Sequence, residues 1–346
     1  MEGLRTPAEL VMRVIILLAY GCPPQAIVHA YGLDERTVAQ WQKRAGTHCQ
    51  QIQQDLVEQG KVDVHHVQAD EIRVKGYKMG AWMGLAIDVS TRLWLAGVVS
   101  VQRDTALADQ LLQRVRACCQ AVGALLICTD GWAAYANSIK RAFREKVKKT
   151  VGRGRACLEI WPQLCIATVI KRVQKHHVVQ VTRKMTLGTL EHAQQLLQAS
   201  RGGSELNTSF IERFNGTMRE RLACLPRKCR HAAHRLATIE AGMYLIGCTY
   251  NWCISHHELS KTKHCGYACT PAMAAGLTDH IWTVQELLTY KSAPLPWVEP
   301  KPAGRSRKKA FSDPLEPKRS RGRPRIHPLP DPTLPKRPRG RPRKLA

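Results

Sequence analysis

The chain has 346 residues, enough for two domains and a tail. Its 53 Lys and Arg against 27 Asp and Glu give a net charge of +26 at pH 7. That balance points to a polyanionic partner, and without a basic amphipathic helix to suit a membrane surface, nucleic acid is the expectation. No apolar run approaches the roughly 20 residues of a membrane span. The thirteen cysteines lack the spacing of a small stapled domain, which implies reduced thiols and a cytoplasmic location.

In chain order, Thr6-Pro7-Ala8-Glu9 reads as a helix start: a cap, a proline and a first-turn acid. That helix runs to about Tyr20, and a second covers about Gln25–Tyr31. Gly32-Leu33-Asp34 makes a turn into a third helix that begins at Glu35 and carries Trp41. The pattern looks like a helix-turn-helix, with Arg36, Gln40, Lys43 and Arg44 free to reach base edges or phosphates. A small three-helix bundle with solvated charges fits the same residues. The polar stretch Thr47–Lys61 reads as a helical connector, closing an N-terminal domain over 1–60.

From Val62 the apolar spacing changes to a strand period. Val67–Val74 is one expected strand, and Trp82–Val89 and Leu93–Val101 form a hairpin around Ser90-Thr91-Arg92. An amphipathic helix over Leu107–Val122 leads to Ala124–Thr129, an apolar run fitting a strand buried on both faces. It ends in Asp130-Gly131, which puts the acid at the C-terminal lip, where open α/β sheets collect ligands. Ala134–Phe143 continues as a helix, and the basic stretch from Lys140 to Arg155 reads as a loop. Ile166–Met185 alternates apolar and basic residues, giving two strands with one wet, positive face. A helix over Leu187–Ala199 is broken by Gly202-Gly203 before a helix bearing Glu212.

Three acids on two strands and one helix, Asp70, Asp130 and Glu212, are therefore candidates to converge on divalent metal. Carboxylates are hard oxygen ligands suited to magnesium or manganese. Two such ions about 4 Å apart can clamp the attacking and leaving oxygens of a phosphoryl displacement. Asn207, Asn215 and Arg219 flank Glu212 and are candidates to orient it or a phosphate. Of the competing acids, Asp88 begins a turn, and Glu71 follows Asp70 in a strand and so points to the other face. Cys224, Cys229, Cys248, Cys253, Cys265 and Cys269 lack zinc-knuckle spacing, so free buried thiols are expected.

Asp70-Glu71, Thr129-Asp130-Gly131-Trp132 and Asn207–Asn215 resemble the three acidic motifs of DDE transposases, nearest the insertion-sequence-one-like bacterial group. Thr270–Thr278 resembles that group's C-terminal signature, and the match covers about Thr6 to Leu288. The resemblance implies a ribonuclease H-like α/β core over 61–290, two magnesium ions, and Asp70, Asp130 and Glu212 as catalytic metal ligands. It also implies a nucleoid-associated enzyme acting on double-stranded DNA as a dimer or higher oligomer. In one departure, Tyr250-Asn251-Trp252-Cys253-Ile254-Ser255-His256 has isoleucine and serine where arginine and proline are usual. This leaves a repurposed, architectural or regulatory DNA binder as the alternative, with a ribonuclease H-like nuclease as a third reading.

From Lys301 to Ala346 there are 16 Lys and Arg, 3 acids and 10 prolines, a composition that forbids a packed core. A disordered tail over 291–346 is expected. Arg321-Gly322-Arg323-Pro324-Arg325 recurs as Arg339-Gly340-Arg341-Pro342-Arg343 and resembles the AT-hook. In that motif an extended path lets arginines enter a narrow, strongly negative minor groove.

Overall fold

A computed structural model of the chain describes residues 6–76, 79–120, 123–147, 156–175, 177–225, 235–261 and 266–292. All of these fall in one unit bounded at Pro294. The arginine repeats of the tail lie outside the described residues.

Three helices come first: α1 (Ala8–Ala19), α2 (Pro24–Tyr31) and α3 (Glu35–Ile52). Val11, Val14, Ile15 and Leu18 form the buried stripe of α1 at helical spacing. Its start differs from the expectation: Pro7 is the cap residue and no side chain caps the helix. Asp34 caps α3 by accepting the Arg36 N–H at 2.8 Å. The expected connector is no separate element, because α3 runs on to Ile52 and continues in a π-turn, Gln53–Val57.

The sheet has six strands: β1 (His66–Gly76), β2 (Met79–Asp88), β3 (Trp94–Ser100), β4 (Leu125–Thr129), β7 (Leu164–Gln174) and β8 (His177–Leu187). Their order is β3-β2-β1-β4-β7-β8. The β1–β2, β2–β3 and β7–β8 pairs are antiparallel, and β1–β4 and β4–β7 are parallel. The molecule is thus mixed α/β with a mixed sheet. The basic stretch expected as a loop instead supplies β5 (Arg144–Val147), paired antiparallel with β6 (Cys157–Ile160). Alternation is too short there to register against the surrounding charge.

Helices cover both faces, as a sheet with apolar residues on each side requires. On one face lie α4 (Thr105–Cys118) and α5 (Ala133–Ala142), with Leu107 and Leu111 of α4 against Gly84. On the other lie α6 (Leu190–Ala199), α7 (Ser209–Arg221) and α8 (Leu236–Trp252). Short helices α9 (His257–Ser260), α10 (Pro271–Ala274) and α11 (Val284–Thr289) follow. Helix α8 is buried almost all round, the mark of a central helix. Its Asn251 exchanges hydrogen bonds of 2.9 Å with the Trp94 backbone N–H and carbonyl, fastening it to β3. Helix α3 packs so closely on α8 that a Cβ at Gly46 would fall 2.3 Å from the Ala241 carbonyl oxygen. The N-terminal helices and the sheet therefore share one hydrophobic core.

Beyond Thr168, which pairs with the end of β4, strands β7 and β8 continue alone as a two-stranded ribbon. Residues 171–175 and 177–180 are exposed, so both faces of the ribbon meet solvent, not one.

Candidate active site

The site begins with register. Ala69 of β1 pairs with Thr129, the last residue of β4, in parallel, so Asp70, midway along β1, lies beside Asp130 where β4 ends. The Asp130 Oδ1 accepts the Trp132 N–H at 2.9 Å, which fixes the turn into α5. Asp70 accepts a 2.8 Å hydrogen bond from the Asn215 amide on α7. Asn215 therefore orients Asp70, not the glutamate one turn before it.

Asp70, Glu71 and Asp130 each bring a carboxylate oxygen within 4.8 Å of the others. Glu71 is the member that strand alternation sets aside as pointing to the other face. It leaves the opposite face of β1, as alternation requires, where it accepts the Tyr135 hydroxyl at 2.9 Å and the Arg103 Nε at 2.6 Å. Because β4 has ended at Thr129, however, its head still reaches the neighbouring acids. The adjacent Asp-Glu pair was the one local signal available.

The electrostatics follow from crowding. Burial, then the Glu71 charge, with Asp130 and Glu212 adding to it, pushes the Asp70 carboxyl up to about 7. Glu71 is raised too, first by burial and then by Asp130. Arg103 partly compensates: it pairs with Glu71 and lies 3.6 Å from Asp130. Its guanidinium sits 4.5 Å from the Trp132 ring centroid.

Glu212 stands apart from the cluster of three. Its carboxylate accepts the Thr208 hydroxyl at 2.7 Å and pairs with Lys171 of the ribbon. It is 48% exposed, against 3% for Glu71, yet its charge still acts on Asp70. Its helix is anchored to β1 by Gln68, two residues before Asp70. The Gln68 amide oxygen accepts the Phe210 and Ile211 N–H groups at 3.0 and 3.1 Å. Its amide nitrogen donates to the Asn207 carbonyl at 2.9 Å. One buried side chain thus closes the start of α7 against the strand that carries Asp70.

The other candidates divide. Asn207 accepts the Ser209 N–H and hydroxyl at 3.1 and 2.7 Å, so it builds the start of α7 and leaves the acids alone. Arg219 lies two turns beyond Glu212 and is half-buried. Asp88 accepts the Ser90 hydroxyl and the Thr91 N–H in a turn, as expected, and Asp104 caps α4. Arg36, Gln40, Lys43 and Arg44 are exposed on α3. Among the described residues no cysteine joins a group of close metal-type ligands, and no helix is long and apolar enough to cross a membrane.

The donors are all carboxylate oxygens, and burial, then their mutual repulsion, leaves Asp70 hard to ionise without a compensating cation. That set fits a hard divalent ion such as magnesium or manganese and does not fit zinc. Comparison with protein-family models and with curated proteins finds no match to this chain.

Proposed function

We propose that the protein is a DNA transposase that binds element ends, cleaves a strand and joins the 3′-hydroxyl to target DNA. The observation that carries this reading is that Asp70 on β1 and Asp130 just past the end of the parallel strand β4 lie side by side, next to a helix bearing Glu212. A strand, an antiparallel hairpin, a helix and a parallel strand, with acids on the first and fourth strands, support a ribonuclease H-like core. The three acidic motifs add the resemblance to DDE transposases.

In this reading Asp70, Asp130 and Glu212 hold the metal, with Glu71 completing the negative surface. When bound, magnesium supplies Lewis-acid polarisation of the phosphate and an activated water. Asn215 holds Asp70 in one orientation. Arg103 and Lys171 are the counter-charges that the acids exchange for cation. Helices α2 and α3, with Gly32 in the left-handed region at φ 61°, serve as a helix-turn-helix that presents Arg36, Gln40, Lys43 and Arg44. The tail arginines 321, 323, 325, 339, 341 and 343 enter AT-rich minor groove, and the working form is an oligomer on nucleoid DNA.

A repurposed DNA binder is the second reading, and the Lys171 pair that holds Glu212 away from the other acids favours it. Purified protein, magnesium and a duplex carrying the DNA that flanks the coding sequence separate the two. A transposase nicks that duplex and joins the new 3′ end to a second DNA. A repurposed copy binds it uncut.

A further inference from the structure

A cavity of about 120 Å³ lies on the flank of α7 away from the acids, between β2, α7 and the end of α8. Arg92, Arg213, Arg221, Tyr250 and His256 line it. Arg213, Thr217 and Arg221 follow one another at i, i+4 and i+8, so they form one row of α7. Glu212 and Asn215 lie on the row beside it.

Three positive groups converge here, and the neighbouring carboxylates of Asp88 and Glu258 act on Arg92 without pairing with it directly. Among the described residues, none of the three guanidinium groups has a carboxylate within ion-pair distance. The Arg221 Nη1 and the His256 Nδ1 are buried and lack a hydrogen-bond partner. Arg92 is 7% exposed, and its guanidinium lies 4.0 Å over the Phe210 ring. Its backbone adopts φ 61°, a left-handed conformation rare for a side chain of this size. Burial and the neighbouring Arg92 and Arg213 charges press the His256 imidazole down to about 4, so at neutral pH it can present a lone pair or a single N–H.

We propose that this cavity binds one phosphate group of a DNA strand lying along α7. Planar guanidinium groups match phosphate oxygens in bidentate fashion. The volume is many times the roughly 10–15 Å³ that admits one water, yet below the roughly 300 Å³ at which drug-sized ligand sites begin. It suits a phosphate and leaves the attached nucleosides outside. A phosphate seated there fixes the strand on the helix that also carries Glu212, which registers the neighbouring linkage over the acids.

The identity of the strand as DNA rests on the proposed function; the phosphate chemistry does not. The test uses the full chain without divalent metal. Inorganic phosphate, against chloride at matched ionic strength, should raise the melting temperature of the wild type. It should not do so in Arg213→Gln, Arg221→Gln or Thr217→Glu, the last of which brings a carboxylate to the arginines without removing one. Arg213→Lys should retain part of the shift. On a short duplex, each glutamine variant should lower the slope of log affinity against log salt by about 0.9, the loss of one phosphate contact. No phosphate-dependent shift in the wild type overturns the site. A phosphate shift with an unchanged slope assigns the cavity to free phosphate or a nucleotide and overturns the strand assignment. Arg213 is exposed, so its variants read out even if Arg221→Gln fails to fold. Undiminished cleavage by Asp70→Asn would sink the transposase reading and leave the phosphate shift intact, which keeps the two failures distinct.

Discussion

Helix α7 separates two charged regions of opposite sign. On one side Asp70, Glu71 and Asp130 crowd three carboxylates within 4.8 Å of one another. On the other, Arg92, Arg213 and Arg221 line a single cavity. Neither arrangement suits a ligand-free protein, because gathering like charges at a partly buried site costs free energy. The acid side has borrowed partial compensation from Arg103 and Lys171. On the arginine side Asp88 and Glu258 act on Arg92, but among the described residues no carboxylate forms an ion pair with any of the three guanidinium groups. In the proposed reading one region takes a cation and the other an anion, as a metal-dependent enzyme acting on a phosphate chain needs.

The sharpest break between the two regions is catalytic. Asp70→Asn, Asp130→Asn and Glu212→Gln should each lower magnesium-dependent cleavage by at least about 10²–10³-fold, because each removes an electrostatic element of the transition state. DNA binding should persist. Asp88→Asn, confined to its turn, is the control and should cleave normally in the same gel assay.

Next in size is the tie between β1 and α7. Gln68→Leu removes the acceptor of two helix N–H groups and the donor to Asn207. Leaving such groups buried and unpaired costs about 1–3 kcal/mol each. We expect a lowered melting temperature and a fall in cleavage together, since the Glu212 helix loses its seat on the strand carrying Asp70. Normal melting with full activity would remove Gln68 from the positioning of the site.

The two regions should also titrate in opposite directions. Asp70 sits at about 7 in the folded chain against an ordinary 3.8. The folded state therefore holds its proton more tightly, and this contribution to stability is lost as pH rises from about 4 to 7. The full displacement corresponds to about 4 kcal/mol, and solvent access reduces it to on the order of 2. His256 is pressed down from 6.5 to about 4, so its contribution is lost as pH falls through that window. In chelator, denaturant melts of Asp70→Asn should flatten the first slope, and those of His256→Asn the second. Slopes that do not change, or change in the reverse sense, contradict the electrostatic contrast.

The sequence revealed the acid side far better than the arginine side, for physical reasons. Leu125–Thr129 is short and apolar throughout, so both its buried strand and the exposed acid at its end can be read locally. The helix around Glu212 shows its start in Asn207-Thr208-Ser209. By contrast, Glu71 joins the cluster through carboxylate reach past the end of the neighbouring strand β4, which alternation alone excludes. Gln68 caps a helix that begins about 140 residues later. Arg92, Arg213 and His256 meet only after β2, α7 and α8 have packed, and no local spacing records that meeting. The pairing of β5 with β6 was hidden by the charge of the surrounding stretch.

The smallest expected effect concerns the tail. Replacing Arg323 and Arg341 with lysine keeps the net charge but substitutes a strongly hydrated ammonium for the planar guanidinium. The double variant should lose preference for AT-rich over GC-rich duplex in competition binding while keeping most non-specific affinity. An unchanged preference reduces the tail to a polybasic arm.

The central claim is that the acids at the lip of the sheet hold divalent cations. Manganese titration of the full chain, followed by electron paramagnetic resonance of the free ion, tests it without any knowledge of the element ends. The wild type should take up manganese and release it to excess magnesium. Asp130→Asn should lose that uptake while Arg213→Gln keeps it. Equal uptake by wild type and Asp130→Asn, or none by either, would contradict the assignment of a metal to this site.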